Sequence, residues 1–406
     1  MKFPFSFPKI KKGKEQLALA LDIGTETAKA LIFKKKEKKS IILGASLEYY
    51  DRFGVFDSRD FEIDIIKKAI SKGIEEAQKQ AGLKANLALF ELPANILKAR
   101  VVSQLFKRES PKKIIDEKEE KIIFQTILKE AQKKISQIQA EHTGILPEEI
   151  QFLDLKILEI KIDGYRVPAL RGYSGKNLDF RFLTSFLPKY YLKDIEDITQ
   201  TFGFKNVSLI QEAQGLIFCL NEMPNGIFLD IGGEITQIFL AKNGLLEQIS
   251  EFEMGGEAFS QALSERWGLS QLRTRILKER YSQKNLSEET KARIKEILWP
   301  EKQTWFRVLE DKLKKEVSIT PLPSDIFIFG GGSLLPEIKE ILTKGDWTGL
   351  SFPEQPKVKF IYPKDYYPPA ALHIPPAHPK KELLNQVLNN PQYTPTLLIC
   401  YAKKSF

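Results

Sequence analysis

The chain has 406 residues, of which 42% are hydrophobic and 28% charged, and 62 Lys and Arg against 53 Asp and Glu give a formal charge of +9. This composition excludes collagen-like, disulfide-scaffold and wholly disordered proteins, and the length is enough for two or three domains with a cleft between them. The two cysteines and three histidines lack the spacing of metal ligands, so we expect no zinc site and a reducing compartment.

Residues 1–14, MKFPFSFPKIKKGK, interleave aromatic and basic side chains and lack the continuous apolar stretch of a signal peptide. No apolar run in the sequence approaches the roughly 20 residues that cross a bilayer, so we expect a protein that is neither secreted nor membrane-spanning. Two interpretations of this lead-in stay open. It is either a tail without regular structure or an extended segment that adheres weakly to an anionic membrane surface.

The first predicted element is a β-hairpin at residues 19–33, LALDIGTETAKALIF. Asp22 ends its first strand, and Gly24 and Thr25 follow in a tight turn whose N–H groups can bind an anion such as phosphate. An aspartate beside a phosphate needs a cation, most often Mg²⁺. Such residues also make ordinary hairpin turns, so a single copy does not establish binding.

The densest basic run, KKKEKK at residues 34–39, falls at the next predicted turn between two strands. The remaining positive charge is spread along the chain, whereas nucleic-acid-binding proteins concentrate it on one face. We therefore expect a solvated hairpin tip and no nucleic-acid partner.

An amphipathic helix is predicted at residues 63–81, ended by Gly82, and a strand near 87–92. The chain then stops following the pattern of a doubly wound sheet. A strand at 96–104, a lysine-rich helix at 116–139 and an alternating strand at 150–162 predict a small α+β unit inserted at 93–165.

The second half repeats the first motif. Residues 227–240 read IFLDIGGEITQIFL, which aligns Asp230 with Asp22 and places Gly232, Gly233 and Thr236 in a matching turn. Two such turns, one from each half, can face each other across one polyphosphate. The repetition favours a ligand site over two unrelated hairpins.

A third glycine-rich segment follows at residues 326–335, IFIFGGGSLL, and a helix begins at Pro336. Gly330, Gly331 and Gly332 leave bare backbone against which a flat ring or a ribose can lie. Residues 362–379 are too rich in proline for regular structure. We expect a loop over the core there, or alternatively a partner-binding segment.

In this order, the three segments resemble the two phosphate motifs and the adenosine motif of the actin-like ATPase superfamily. The inserted unit, MGGEAFSQAL at 254–263, LSQLRTRILKERYS at 269–282 and NPQYTPTLLICY at 390–401 resemble its FtsA and PilM branch, and FtsA most closely. This resemblance runs from about residue 17 to 402.

The resemblance implies an α/β, actin-like (ribonuclease H-like) duplicated two-domain fold around a nucleotide cleft, with an SHS2-type insertion. The implied divisions are a flexible lead-in at 1–16, domain 1 at 17–92 and 166–210, the insertion at 93–165, domain 2 at 211–350, and a Pro- and Tyr-rich loop with the closing helix of domain 1 at 351–406.

The resemblance also implies that the cleft binds ATP with Mg²⁺. Asp22 and Asp230 would hold the hydrated metal, and Glu26 and Lys29 would contact phosphate or the opposing loop. Gln211 and Glu212 stand where the superfamily positions the attacking water, or else are helix-terminal groups that face solvent. The residues expected to cradle phosphates are Gly24, Thr25, Gly232, Gly233 and Thr236, and those expected to flank ribose and adenine are Gly255, Gly256, Lys278, Gly330, Gly331, Gly332 and Ser333.

Two positions depart from the family pattern. Gln237 stands where the second phosphate motif usually has an aspartate, and Arg275 stands where relatives carry a glutamate that reaches the ribose. A cation in place of that acceptor reverses a hydrogen bond. We therefore expect ATP binding with slow or no hydrolysis, so that the nucleotide serves to hold the two domains together.

The function implied first is an FtsA-like assembly protein of bacterial cell division. It would recruit or tether a tubulin-like division filament at the cytoplasmic face of the membrane and self-associate through the inserted unit. FtsA proteins typically continue into an amphipathic membrane helix, but here AKKSF alone follows Tyr401. Residues 1–14 are the candidate for a weak membrane contact, with a tail without regular structure as the favoured alternative. The alternative is a PilM-type cytoplasmic platform of type IV pilus assembly that binds a peptide of an inner-membrane pilus protein. A metabolic kinase ranks third.

Overall fold

The computed structural model describes residues 16–36, 39–56, 62–204, 206–316, 321–366, 372–373 and 381–402. The lead-in at 1–14, the tip of the basic cluster at 37–38 and most of the proline-rich stretch lie outside these residues. Within these ranges, no helix combines the length and the apolarity that a membrane span requires.

The strands are β1 (Gln16–Ile23), β2 (Thr27–Lys36), β3 (Lys39–Tyr49), β4 (Leu87–Glu91), β5 (Lys98–Lys107), β6 (Ile150–Ile162), β7 (Tyr165–Arg166), β8 (Asn177–Pro188), β9 (Asn206–Leu209), β10 (Gly226–Ile231), β11 (Thr236–Lys242), β12 (Leu245–Phe252), β13 (Asp325–Phe329), β14 (Lys357–Phe360) and β15 (Leu372–His373). The helices are α1 (Ile63–Ala81), α2 (Glu117–Thr143), α3 (Leu192–Thr201), α4 (Ala213–Cys219), α5 (Gly256–Trp267), α6 (Gln271–Ser282), α7 (Glu288–Glu316), α8 (Pro336–Lys344), α9 (Lys381–Leu388) and α10 (Thr394–Tyr401).

The first lobe is built on a six-stranded sheet in the order β15, β3, β2, β1, β4, β9. β1, β2 and β3 are antiparallel, and β4 and β9 continue the sheet in parallel with β1. α1 packs on this sheet with Ile66 and Ile70 buried, and Gly82 ends it at a φ of 65°. The predicted helix at 63–81 is confirmed, because an apolar stripe and a glycine in the left-handed conformation fix its face and its end.

The second lobe repeats this plan. Its five-stranded sheet has the order β12, β11, β10, β13, β14, with three antiparallel strands followed by two parallel ones. Phe259 of α5 and Trp305 of α7 are buried against it. Because the two lobes share one strand order, the predicted duplicated α/β architecture is confirmed. β14 pairs in this second sheet, although the sequence analysis placed residues 351–406 with the first domain.

The inserted unit is a four-stranded antiparallel sheet in the order β5, β8, β6, β7, with α2 on one face. Buried residues of α2 include Ile123, Ile127 and Ile135, which recur at helical spacing. β8 pairs with both β5 and β6 and so lies inside this sheet. The unit therefore extends past residue 165, where the sequence analysis ended it. The SHS2-type assignment stays a prediction.

The inserted unit is docked on the second lobe through partly buried ion pairs. Lys98 and Arg100 of β5 both donate to the Glu251 carboxylate of β12, at 2.9 Å and 2.6 Å. Burial raises the pKa of Glu251, but Arg100 and Lys98 outweigh it and hold the pKa at about 2. Arg181 of β8 pairs with Glu247 on the same strand as Glu251. These contacts fix the inserted sheet beside the edge strand β12.

Candidate functional site

Two turns of matching geometry lie at the centre of the molecule. Turn 1, residues 24–26, joins β1 to β2, and turn 2, residues 232–235, joins β10 to β11. In turn 1 the Gly24 N–H donates to the Thr27 carbonyl at 2.9 Å, and in turn 2 the Gly232 N–H donates to the Ile235 carbonyl at 2.9 Å. The repeated sequence therefore folds into a repeated turn.

The two turns contact each other directly. The Glu234 N–H of turn 2 donates to the Thr25 hydroxyl of turn 1 at 2.9 Å. A Cβ atom at Gly233 would lie 2.6 Å from Thr25 Oγ1 and 2.7 Å from Glu26 Cγ, so a side chain there would force the turns apart. Backbone and one hydroxyl thus form the junction between the lobes.

A cavity of about 80 Å³ lies beside this junction. It has room for a hydrated ion or a phosphate group, but it is smaller than the roughly 300–1,000 Å³ of typical small-molecule pockets. Many predicted site residues line it, together with Glu91, Gln237, Gln392 and Pro395, to which the sequence analysis gave no contact role. The predicted residues in its lining are Asp22, Gly24, Thr25, Glu26, Lys29, Glu212, Asp230, Gly232, Gly233, Gly330 and Gly331.

Four carboxylates surround one lysine in this cavity. Lys29, directly opposite Asp22 in the β1–β2 pair, donates to the Asp22 carboxylate at 2.8 Å, and the Thr396 hydroxyl of α10 donates to the same oxygen at 2.9 Å. Glu91 accepts the Glu212 N–H at 2.7 Å. Among the described residues, no partner is found for one buried oxygen of Glu91, both carboxylate oxygens of Glu212 and Oδ1 of Asp230.

Burial, together with the closeness of the other acids, raises the pKa values of three carboxyl groups in this cluster. Burial raises the pKa of Asp230 to about 7, with Lys29 opposing the shift and Asp22 adding to it. Burial, followed by charge repulsion within the cluster, raises the pKa values of Glu91 and Glu212 well above the ordinary value. Burial lowers the pKa of Lys29, but its contacts with Asp22 outweigh this and the pKa rises overall. If all four acids were ionised, the cluster would hold more negative charge than one lysine compensates, so a bound cation would stabilise their ionised forms.

The donor set fits a metal held through water better than one bound directly. Across the described ranges, no three or more His, Cys, Asp or Glu residues are grouped so that they could hold a metal by themselves. Mg²⁺ commonly keeps several water ligands and takes the rest from one or two carboxylates and the phosphates of a bound substrate. The orphaned oxygens around the cavity suit this outer-sphere arrangement.

Gln211 and Glu212 are 2% and 1% exposed, which contradicts the interpretation that they face solvent. Glu212 lines the cavity with an unpartnered carboxylate. Gln211 accepts the Ala213 N–H at 2.6 Å and donates to the Gln237 side chain at 3.2 Å. Of the two residues, Glu212 therefore presents an unpartnered carboxylate to the cavity. The Gln211 side chain instead hydrogen-bonds the first residue of α4 and the Gln237 side chain.

Thr236 does not line the cavity. Its hydroxyl donates to the Met254 carbonyl at 2.7 Å and accepts the Trp305 indole N–H at 3.0 Å. The residue is fully buried in the second lobe. Its hydroxyl therefore connects the strand that follows turn 2 to the core of the second lobe. The resemblance implied a phosphate contact for this residue.

The glycines expected around ribose and adenine pack backbone against backbone. A Cβ atom at Gly330, whose φ is +83°, would lie 2.1 Å from Asp230 Oδ1, and one at Gly255 would lie 2.4 Å from the Gly233 carbonyl. Ser333 closes its own loop by donating to the Gly330 carbonyl at 2.7 Å. The Gly256 N–H donates to the Gly232 carbonyl at 2.9 Å, so the start of α5 braces turn 2. Gly332, too, contacts Ile231 of β10 closely.

Helix α6 bridges the two lobes. Arg275 donates to the Tyr50 carbonyl at 3.1 Å and lies over the Tyr49 ring, 4.3 Å from its centroid. The Tyr49 hydroxyl donates to Glu279 at 2.6 Å. Lys278 donates to Glu26 of turn 1 at 3.3 Å and to the Gly256 carbonyl at 3.1 Å. The residue that departs from the family pattern, Arg275, is thus part of a contact that keeps the cleft narrow.

Besides Gln392 and Pro395, two acid-cluster residues, Glu91 and Thr396, have no role in the sequence-based prediction. Glu91 ends β4 and lies opposite Asp22 in the parallel β1–β4 pair, so an acid at the end of a buried strand was an available signal. Thr396 lies 374 residues from its partner Asp22, and no local pattern marks it.

No protein-family model matches the chain, and no curated protein matches it. Among solved structures, the chain is similar to the PilM–PilN type IV pilus biogenesis complex, with a TM-score of 0.65 and 16% identity over 97% of this chain and 99% of that chain. The ethanolamine utilization protein EutJ from Carboxydothermus hydrogenoformans has a TM-score of 0.49 and 10% identity over 98% of this chain and 92% of that chain. Component A of the (R)-2-hydroxyglutaryl-CoA dehydratase from Acidaminococcus fermentans has a TM-score of 0.41 and 11% identity, over 96% of this chain and 99% of that chain.

The similarity at a TM-score of 0.65 extends along the whole chain, including the inserted unit. The two lower scores are too small to support a conclusion by themselves. With two sheets of one strand order meeting at paired aspartate–glycine turns, the predicted fold class is confirmed. The chain therefore has the duplicated, two-lobed α/β fold of the actin-like ATPases.

Proposed function

We propose that this chain is an ATP-binding, actin-fold platform protein of the PilM type. It acts at the cytoplasmic face of the inner membrane in type IV pilus assembly, where it binds a peptide of a membrane partner. The observation that carries the proposal is the end-to-end similarity to the PilM–PilN complex, at a TM-score of 0.65 over 97% of this chain. This comparison supports the pilus role better than the FtsA-like division role that the sequence favours.

The cleft supports magnesium–nucleotide binding as part of this proposal. Asp22 and Asp230 both line the cavity, where they would hold a hydrated metal, and backbone N–H groups of turns 1 and 2 would hold phosphates. The magnesium ion and its water ligands would supply the positive charge and the hydrogen-bond donors that the orphaned acids lack. Glu212 orients water beside this site, while Gln237 in place of a second acid keeps hydrolysis slow.

The size of the cavity supports a structural role for the nucleotide. At about 80 Å³ the space admits a phosphate group but not a whole nucleotide, so the lobes separate before binding. Once bound, the nucleotide joins turn 1 to turn 2 and stabilises one relative position of the lobes. The inserted unit, docked on the second lobe through Glu251, then has a fixed position for its partner.

Calorimetry tests the nucleotide site. Asp22→Ala and Asp230→Ala are each expected to abolish Mg-ATP binding, because each removes one of the two acids beside the turns. Asp197→Ala, which changes an exposed aspartate on α3, is the matched control and should bind like the wild type. Unchanged binding in either cleft variant contradicts the site assignment.

Peptide binding tests the pilus role. Fluorescence anisotropy should detect saturable binding of the cytoplasmic segment of the inner-membrane pilus protein encoded nearest to this gene, and a scrambled peptide of the same composition should not bind. The C-terminal tail of the tubulin-like division protein from the same cell provides the competing test. Binding of that tail without binding of the pilus peptide would replace the pilus role with the division role.

A further inference from the structure

A second cavity touches turn 2 and lies apart from the four-carboxylate cluster. Its volume is about 350 Å³, within the range of roughly 300–1,000 Å³ that small-molecule sites occupy. It opens to solvent and is lined by both lobes, with Phe56 and Asn95 on the first and the start of α5 on the second. Only Ile235 is shared with the lining of the smaller cavity.

The polar lining of this cavity consists mainly of acceptors. Glu234, Glu253 and Glu257 line it, and no Lys or Arg of the described chain is among its lining residues. Glu257 is 4% exposed, and its Oε2 has no hydrogen-bond partner within the described ranges. The Asn95 side-chain oxygen is also buried and lacks a partner there. Two buried acceptors without donors are costly to maintain, and a ligand that donates to them removes that cost.

The nearest lysine does not supply these donors. Lys278 directs its hydrogen bonds to Glu26 and to the Gly256 carbonyl. Burial, with repulsion from Glu234 and Glu26, raises the pKa of Glu257 to about 8, while the Gln261 hydrogen bond and Lys278 lower it in part. Glu257 is therefore largely protonated at neutral pH in the free chain, and a bound cation would favour its ionised form.

The cavity fits an organic cation better than a metal ion. A volume of about 350 Å³ far exceeds that of one ion, and no three or more metal-ligand residues in the described part of the chain are suitably grouped. Phe56, Met254 and Ala258 give the cavity an apolar wall suited to an alkyl stem. A primary ammonium has three donors and no acceptor, which matches a site lined by carboxylate and amide oxygens.

We propose that this cavity binds a primary ammonium group on an alkyl stem, with Glu257, Glu253 and the Asn95 oxygen as its acceptors. The cavity adjoins the proposed nucleotide cleft at Ile235, and the proposal does not depend on the pilus role. Two kinds of ligand contain a primary ammonium group on an alkyl stem. They are a partner peptide with a lysine side chain and a free aliphatic diamine.

Calorimetry with small probes tests the proposal. Nα-acetyl-lysine amide and 1,5-diaminopentane represent the two kinds of ligand, and Nα-acetyl-norleucine amide is the control with an alkyl stem and no ammonium. We expect saturable binding of at least one ammonium probe to the wild-type chain and none of the norleucine control. Selective binding of the lysine probe identifies a peptide source, and selective binding of the diamine identifies a free amine.

Charge-removing variants locate the binding. Glu257→Gln keeps the shape of the side chain and should weaken probe binding about tenfold or more. Glu265→Gln, on the exposed face of the same helix, is the matched control and should bind like the wild type. Glu253→Gln changes an exposed residue that does not support the core, so it tests the site even if Glu257→Gln fails to fold. It should weaken binding severalfold.

Several results would overturn the proposal. They are the absence of binding by either ammonium probe, equal binding of the norleucine control, and wild-type affinity in both Glu257→Gln and Glu253→Gln. Stoichiometric displacement of the probe by Mg²⁺ would also overturn it, because the cavity would then be a metal site.

Discussion

The protonation state of the Asp230 carboxyl in the cleft changes near neutral pH. Its pKa is raised to about 7, so the free protein holds a proton there at pH values where an exposed aspartate is ionised. A folded-state pKa above the unfolded value means that this group contributes stability at low pH and loses it as pH rises toward about 7. A bound cation favours the ionised form and displaces the proton.

Mg-ATP affinity should therefore increase with pH. We expect the dissociation constant to fall by up to about tenfold per pH unit from about pH 6 and to level off above about pH 7, as Asp230 ionises. Calorimetry in buffers of different ionisation enthalpy should detect the proton that binding releases. Asp230→Asn should bind weakly with a flat pH profile; a flat profile in the wild type would show that Asp230 does not couple to binding.

At the scale of single elements, the crossing of α4 and α10 is set by one glycine. A Cβ atom at Gly215 would lie 2.0 Å from the Leu398 carbonyl oxygen, so the two helices meet backbone to backbone. At Gly73 in α1, by contrast, a Cβ atom would first meet the Ser46 hydroxyl at 3.1 Å, which is a side-chain atom. Gly215 is therefore needed for close backbone contact between two helices, whereas Gly73 lies against a side chain.

Gly215→Ala should destabilise the chain by about 2 kcal/mol or more, because the helices must move apart. Gly73→Ala is the matched control, and helix propensity predicts a change between zero and a gain of about 1 kcal/mol. Urea unfolding of both variants measures the difference. Equal stabilities would mean that α10 shifts without cost.

The docking of β5 on β12 should weaken in acid. The pKa of Glu251 is held at about 2 against an ordinary value of 4.5, so its contribution is complete above about pH 4.5 and is lost as pH falls toward about 2. The shift corresponds to about 3 kcal/mol as an order of magnitude.

Glu251→Gln leaves Lys98 and Arg100 without their carboxylate and should lower the free energy of unfolding at neutral pH by about 3–5 kcal/mol. Glu354→Gln, which breaks an exposed pair with Lys357, should cost less than about 1 kcal/mol. Urea titrations at neutral pH and near pH 3 compare the two variants. A Glu251→Gln variant as stable as the control would show that the inserted unit docks without this ion pair.

At the scale of the whole molecule, α6 connects the two lobes through side-chain contacts. Arg275 and Glu279 contact Tyr50 and Tyr49 across the cleft, while the cavity behind them is only about 80 Å³. On the proposed function, entry of a nucleotide would require these contacts to break.

Arg275→Ala should raise the association rate of a fluorescent ATP analogue severalfold in stopped-flow measurements, because one of the closing contacts is lost. Arg273→Ala removes an exposed arginine from the same helix and should leave the rate unchanged. An unchanged rate in Arg275→Ala would mean that another contact limits opening.

Short stretches of sequence were enough to predict helix bounds and tight turns, because neighbouring residues determine these features. The apolar stripe and Gly82 gave the bounds of α1, and the repeated aspartate–glycine sequences gave turns 1 and 2. β8 was misassigned because its place between β5 and β6 depends on antiparallel pairing with strands far away in the chain. The Thr236 hydroxyl was misassigned because its partners, Met254 and Trp305, are brought to it only by tertiary packing.

The hydrogen bond from Thr396 to Asp22 has a consequence for biosynthesis. A growing chain on the ribosome presents Asp22 early, but the residue that completes its surroundings is translated 374 residues later. Until α10 has left the exit tunnel and docked, Asp22 lacks this hydrogen bond. On the proposed function, stalled nascent chains should therefore retain ATP only where residue 396 has emerged from the tunnel.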